Sequence, residues 1–401
     1  MNEIINLIKR LSSEQFEEIR AIRRHLHQHP ELSCQEFKTA EFICKKLDEY
    51  GISYIRGVAE TGIVGIINGI DPESKNIALR TDMDALPIRE ENSVDYKSVI
   101  PGKMHACGHD VHMASLLGAA HILEQLKNRF EGSVKLIFQP SEEIYPGGAV
   151  RMIREGVLKN PDTVSVIGQH VINNLDAGKI GIKPGPYMAS TDEIFLTVKG
   201  TGGHAATPEQ LIDPILIASH IIVALQQIVS RNANPIIPTV LSFGRIIGEG
   251  RTNIIPDIVS IAGTVRTYDE SWRRTIHEKI THMASSIAAA MGGTCEVKIS
   301  HGYPFLKNDE QLTSKIRSWA AEYLGESNVV DIEARMTSED FSYFAKEVPS
   351  CFYRLGIRNE QKGIRSNLHT STFDVDESCL VTGMGLMAWI AISRLNELKR
   401  I

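Results

Sequence analysis

The sequence predicts an α/β protein in which a mixed sheet flanked by helices is interrupted by a smaller α+β domain. Three observations lead there. Up to about residue 187, apolar runs of strand length alternate with helical patterns, the order expected of a sheet with crossover helices. Between residues 188 and 304 the order becomes strand, helix, strand, strand, helix, strand, which is the split βαβ order of a ferredoxin-like domain. Beyond residue 304 the α/β character returns. A chain of 401 residues that is 42% hydrophobic can bury a core in each of two such domains. The expected division is a discontinuous domain, 1–187 and 305–401, with a smaller domain, 188–304, inserted in it.

The N-terminus alternates charged and apolar residues at helical spacing and has no apolar core of signal-peptide length, so export is not signalled. Residues 63–67, 77–80, 134–138 and 164–169 read as strands, with helices at 114–128 and 149–156. In the insert, 194–199, 240–248, 258–267 and 295–300 read as strands, and 211–230 and 270–291 as helices. A helix at 312–324, a strand at 352–355 and a terminal helix at 379–399 complete the first domain. The longest apolar stretches, 214–229 and 384–392, contain His220, Gln226, Gln227 and Gly385 and read as buried helices rather than membrane spans.

Charge excludes some partners. The formal net charge is -6 and the two signs are interspersed, so there is no basic footprint for nucleic acid or an anionic membrane. Six cysteines are scattered without a disulfide-type spacing, which fits free thiols in the cytoplasm.

Ligand-type side chains concentrate at the ends of predicted strands, where open α/β sheets place their sites. Asp82 and Asp84 end one strand; Cys107 and His109 precede a helix; Glu142 and Glu143 follow another strand; His170 ends a third, and His369 lies far downstream. Each has an ordinary explanation on its own: a strand-end aspartate as a cap, a lone cysteine as a small buried apolar group, paired glutamates as a helix start. Together, thiolate, imidazole and carboxylate form the donor set of zinc and other late divalent metals. Cys107 and His109, two apart around Gly108, can chelate one ion or bridge two. Neighbouring Glu142 and Glu143 point in different directions on extended backbone, so one can ligate while the other serves as general base on a metal-bound water. Amide hydrolysis follows from that pair.

The strings HLHQHPEL, RTDMDALPI, MHACGHDVHMA, QPSEE, GQHV, GGHAATP, NIIPD, SEDFSYF and NLHTSTFDVD resemble, in order and spacing, the aminoacylase and carboxypeptidase family of dimetal exopeptidases. They look most like its amidohydrolase branch, which includes hippurate hydrolase, the auxin-conjugate hydrolases and N-acetyl-diaminopimelate deacetylase. The resemblance implies a zinc-exopeptidase-like catalytic domain and hydrolysis of N-acyl amino acids such as N-acetyl or N-benzoyl derivatives. It implies two divalent metal ions per chain, zinc or manganese before nickel or cobalt, on Cys107, His109, Glu143, His170 and His369. Glu142 becomes the general base and Asp84 the acid that orients a ligand. The wider family carries a histidine at the place of Asp82 and an aspartate as bridge; Asp82 and Cys107 replace that pattern here.

In the insert, His204 resembles the family histidine that crosses a dimer interface to stabilise the developing oxyanion, which implies a homodimer through that domain. Asn253 matches a substrate-contacting asparagine, and Arg266 is a candidate carboxylate clamp. The bland readings of these three are a turn histidine, a turn amide and a surface strand charge. His25, His27 and His29 belong to a helix end terminated by Pro30 and receive no catalytic role, and His105 and His112 are taken as supporting residues. Two other functions use the same residues: a metallo-carboxypeptidase or dipeptidase acting on short peptides, and a non-catalytic metal-binding protein, which would not need Glu142.

Overall fold

A computed structural model describes residues 2–398, and the chain separates into two compact units. The first comprises Met1–Gly185, Lys307–Glu333 and Asp340–Ile401; the second comprises Pro186–Leu306 and Ala334–Glu339. The short 334–339 stretch therefore groups with the second unit although it lies beyond residue 305.

The first unit is built on an eight-stranded mixed sheet. Its order is Ser53–Val58, Gly62–Asn68, Ser133–Gln139, Asn76–Asp82, Thr163–Asp176, Ser350–Arg358, Ile180–Ile182 and Val329–Asp331. The four central strands, Ser133–Gln139 through Ser350–Arg358, run parallel to their neighbours within the group. Asn76–Asp82 and Ser133–Gln139 are buried along their whole length, as expected of strands covered on both faces. Parallel pairing in the register Asp82 to Gln139 brings the segments after both strands to one edge.

The helix His109–Gln125 is buried nearly all round between this sheet and the helix Cys379–Glu397. It starts five residues earlier than the apolar pattern from 114 suggests. Residues 109–113 carry ligand-type side chains that hide the helical period, and Gly108 in the left-handed region sets the start. The strand expected at 164–169 runs on through His170 to Asp176. The terminal helix ends at Glu397, and residue 399 lies outside the described residues.

By length and composition two described helical segments are apolar enough to cross a membrane, Pro214–Asn232 and Cys379–Glu397, which corrects the reading that both fall short. The second is 83% buried, so its all-round apolarity reflects a core position between layers.

The second unit contains a four-stranded antiparallel sheet in the order Thr239–Ile247, Ile258–Thr267, Asp192–Lys199, Thr294–His301. Second, third, first, fourth in chain order is the ferredoxin-like arrangement that the element order predicts. Its helices, Pro214–Gln227 and Glu270–Ala290, are each started by an aspartate cap: Asp213 accepts the Ile215 and Leu216 N–H groups, and Asp269 accepts that of Trp272. Buried Asp192 accepts hydrogen bonds from Arg273 and His277 and ties the long helix to the sheet.

Candidate metal centre

Five of the residues singled out in the sequence converge at one edge of the first unit's sheet. Cys107 Sγ lies 3.4 Å from His170 Nε2 and 3.3 Å from His369 Nε2. Glu143 Oε1 lies 3.8 Å from His109 Nε2 and 3.6 Å from His369 Nε2. The donor atoms of Cys107, His109 and His170, of Cys107, Glu143 and His369, and of His109, Glu142 and Glu143 form three overlapping groups, each within 4.8 Å.

Local backbone explains how Cys107 and His109 share the centre. Gly108 has φ +83° and a Cβ there would meet Val171 Cγ2 at 2.5 Å, so only glycine fits between the two donors. On the opposite side, His369 holds φ +61°, a conformation that costs a non-glycine residue about 1–3 kcal/mol. Its N–H donates to Ala106 O at 2.8 Å, which fastens the His369 turn beside Cys107.

The histidines are oriented for coordination. His109 Nδ1 donates to the Asp84 carbonyl at 2.8 Å and His170 Nδ1 to the Val171 carbonyl at 2.8 Å, which leaves each Nε2 toward the cluster. His109 Nε2 is buried and makes no hydrogen bond. His112 is engaged differently: its Nε2 accepts the Val171 N–H at 2.9 Å, so its proton is on Nδ1 and is donated to Asp82 at 2.6 Å. With both ring nitrogens used, His112 is a strut between helix and strand, although Asp82, His109 and His112 lie close enough to suggest a separate ion site.

The electrostatics favour a cation. Burial disfavours the imidazolium of His109, yet Asp82, then Asp84 and Glu143, outweigh it and raise its pKa to about 10. Burial first, then Glu143, Glu142 and Asp82, push the Cys107 thiol well above the usual thiol range. Burial, with Arg354 and His112, holds His170 neutral. A carboxylate-rich pocket that stabilises positive charge, supplies thiol and neutral imidazole and keeps a buried Nε2 without a hydrogen bond fits divalent metal ions.

The sequence left open the partners of several residues around the centre. The Asp84 carboxylate accepts the backbone N–H groups of Glu142 at 3.1 Å and Glu143 at 2.9 Å, and the Ser33 hydroxyl at 2.6 Å. Asp82 is buried against Arg80 at 2.7 Å, and Arg80 in turn reaches Gln139 and Asp340. Asp340 lies in the SEDFSYF string, the one clue to its part in this network. His27 is more than a helix end: it is buried and bridges Asp110 at 2.8 Å and Glu90 at 3.3 Å. His105 is buried, with its pKa brought down to about 3 chiefly by desolvation.

His204, Asn253 and Arg266 belong to the second unit. The first two are neighbours on a short ladder in which His204 pairs with Ile254 and the Ala205 N–H donates to the Asn253 carbonyl at 3.0 Å. His204 is exposed, and its Nδ1 accepts the Ala206 N–H at 3.1 Å, which leaves the proton on Nε2. Arg266 is on the strand Ile258–Thr267, where its guanidinium is held by Thr264 and the Val265 carbonyl and burial lowers its pKa.

The chain is 43% identical over 304 residues to an N-acyl-L-amino acid amidohydrolase of Geobacillus stearothermophilus, covering 76% of this chain and 81% of that protein. It is 39% identical over 379 residues to thermostable carboxypeptidase 2 of Saccharolobus solfataricus, covering 94% and 95%. Among solved structures, the Bacillus subtilis YXEP protein, described as a dinuclear metal binding peptidase from the M20 family, superposes with a TM-score of 0.82 at 32% identity, covering 96% of this chain and all of that one. The sequence profile of peptidase family M20/M25/M40 matches residues 78–392, and the chain belongs to that family.

Proposed function

We propose that this protein is a metal-dependent amidohydrolase that cleaves N-acyl amino acids into a carboxylic acid and a free amino acid. The observation that carries this reading is the convergence of Cys107, His109, His170, His369 and Glu143 with Glu142 alongside, all in one carboxylate-rich pocket. Those first five would hold two divalent ions, zinc or manganese by their donor chemistry. Such ions, when bound, polarise a scissile carbonyl and make an attacking water more acidic. Glu142 takes the proton from that water as its oxygen adds to the carbonyl carbon, and returns it to the nitrogen as the C–N bond breaks. Asp84 holds the peptides of both glutamates, so the base and the ligand are set by one anchor.

His204 would donate its Nε2–H to the oxyanion of the transition state, reaching the site of a partner chain. Support for a homodimer comes from the second unit's surface: Leu216 is 51% exposed, Val223 74% and Ile236 84%, and the strand Thr239–Ile247 is a sheet edge. Asn253 and Arg266 are the candidates for the substrate's carboxylate. The free state of all six cysteines supports a cytoplasmic setting.

The likeness to a carboxypeptidase keeps peptide cleavage as the second reading. Metal-loaded protein assayed against N-acetyl and N-benzoyl amino acids and against unblocked dipeptides separates the two. N-acyl substrates should be turned over with kcat/KM about 10-fold or more above the dipeptides, a difference of about 1.4 kcal/mol in transition-state binding. The opposite ranking would establish the peptidase reading instead.

A further inference from the structure

The turn that carries Glu142 is strained at its first residue. Ser141 holds φ +56°, a left-handed conformation that a serine does not adopt without support. The support comes from the N-terminal segment, 105 residues earlier in the chain: buried Glu36 accepts the Ser141 N–H at 2.8 Å and the Ser141 hydroxyl at 3.3 Å through Oε1. Its Oε2 accepts the Thr61 hydroxyl at 2.8 Å, so the carboxylate is held at both ends. The Ser141 Oγ also accepts the Cys34 N–H at 2.9 Å, and Ser33, one residue before Cys34 in the same segment, donates its hydroxyl to Asp84. Placing a carboxylate in this buried position is unfavourable: burial and the nearby Asp84 raise the Glu36 pKa, and neither oxygen forms an ion pair with a cationic side chain among the interactions the described residues show. A buried acid that is kept beside another acid, and whose hydrogen bonds go to the turn before the general base and to one threonine, is placed for what it does to that turn.

We propose that Glu36 is a positioning residue of the hydrolytic reaction, fixing the left-handed Ser141 so that the following Glu142 meets the substrate in register. It touches no reacting atom and acts through Ser141. The inference rests on the reading of Glu142 as general base.

The test uses the full-length, metal-loaded protein. Glu36→Gln keeps an oxygen that can accept the Ser141 N–H and an NH2 that can donate to Thr61, so it should retain kcat close to wild type. Glu36→Ala removes the support, and Glu36→Asp keeps the charge but is too short to hold both ends. Both should lower kcat by about 10²-fold, the scale expected of a roughly 1 Å misplacement, while KM and metal content by elemental analysis stay near wild type. If Glu36→Ala fails to fold, Glu36→Asp carries the test. Adding Ser141→Gly to either variant should recover much of the lost kcat, because glycine adopts the left-handed conformation unaided. Wild-type kcat in a folded Glu36→Ala or Glu36→Asp protein overturns the proposal. So does a loss of metal in proportion to the loss of kcat, or a failure of Ser141→Gly to restore any activity. Glu142→Gln is measured in parallel: if it stays active, the general-base reading has failed, and if it is inactive while Glu36→Asp is not, only the role of Glu36 has.

Discussion

The Asp84 carboxylate accepts the backbone N–H of Glu143 at 2.9 Å from 59 positions away, and its other oxygen accepts that of Glu142 at 3.1 Å. One side chain thus fixes the peptides of both adjacent glutamates, while its own carbonyl orients His109. Asp84→Asn preserves size but turns one acceptor into a donor, so at least one of Glu142, Glu143 and Ser33 loses its bond. The variant should fold, bind metal less tightly and lose about 10²-fold or more in kcat, as steady-state kinetics with elemental analysis would register. Wild-type kinetics would mean that the turn holds itself.

The two glutamates should separate by phenotype. Glu142→Gln is expected to keep its metal and lose about 10²-fold or more in kcat, the ordinary size of general-base catalysis. Glu143→Gln should lose metal first and activity as a result. Reversed phenotypes would exchange the roles.

Cys107 sits between His170 and His369 at 3.4 and 3.3 Å, and its proton is held by burial and three carboxylates. Cys107→Ser leaves the packing almost unchanged but replaces a soft donor by a weakly coordinating hydroxyl. Metal affinity measured by chelator competition should fall by about 10-fold or more, at least the effect of losing an outer-shell partner. Thermal stability of the chelated protein should barely change. Two ions retained as tightly as in wild type would remove Cys107 from the ligand set.

In the second unit, burial works to raise the pKa of Asp192, but hydrogen bonds from Arg273 and His277 outweigh it and bring the pKa from 3.8 to about 2. A depressed carboxylate contributes stability that is complete above its unfolded value and is lost as pH falls through its folded value. The contribution should therefore disappear between about pH 4 and pH 2. Asp192→Ala, which leaves Arg273 buried without this partner, should destabilise the protein by about 3–5 kcal/mol at neutral pH. Denaturant melts of wild type and variant should converge toward pH 2; a gap constant with pH would mean that packing rather than charge is lost.

How much of this was legible in the sequence follows from what each residue depends on. The strand and helix patterns required only local periodicity, and they place the strands that end in Asp82 and Gln139 and the strand that carries His170. Cys107-Gly108-His109 was readable because chelation and the left-handed glycine act within three residues. The start of the helix at His109 was not, since polar ligands interrupt the apolar period there. Asp84 and Glu36 act on residues 58 and 105 positions away, and no property of either local string encodes that partner. Arg80 is likewise fully buried between Asp82 and Asp340, a cost that only a three-way network can offset, and Asp340 lies 260 positions away.

His204 supplies the last prediction, because its role depends on assembly as well as on chemistry. Its Nδ1 accepts the Ala206 N–H, so the exposed ring presents an Nε2–H donor, the form an oxyanion requires. If that donor serves a partner's site, the protein must be at least a dimer, and mixing defective chains can distinguish action in trans from action within one chain. A Glu142→Gln chain and a His204→Ala chain should each be nearly inactive alone. In their hybrid, one site combines an intact Glu142 with an intact His204 from its neighbour, and the other combines both defects. Activity should return toward that of one wild-type site per dimer, in proportion to the hybrid fraction measured by native mass spectrometry. If subunit exchange is verified and no activity returns, His204 works within its own chain or not at all, and the oxyanion role across the interface must be given up.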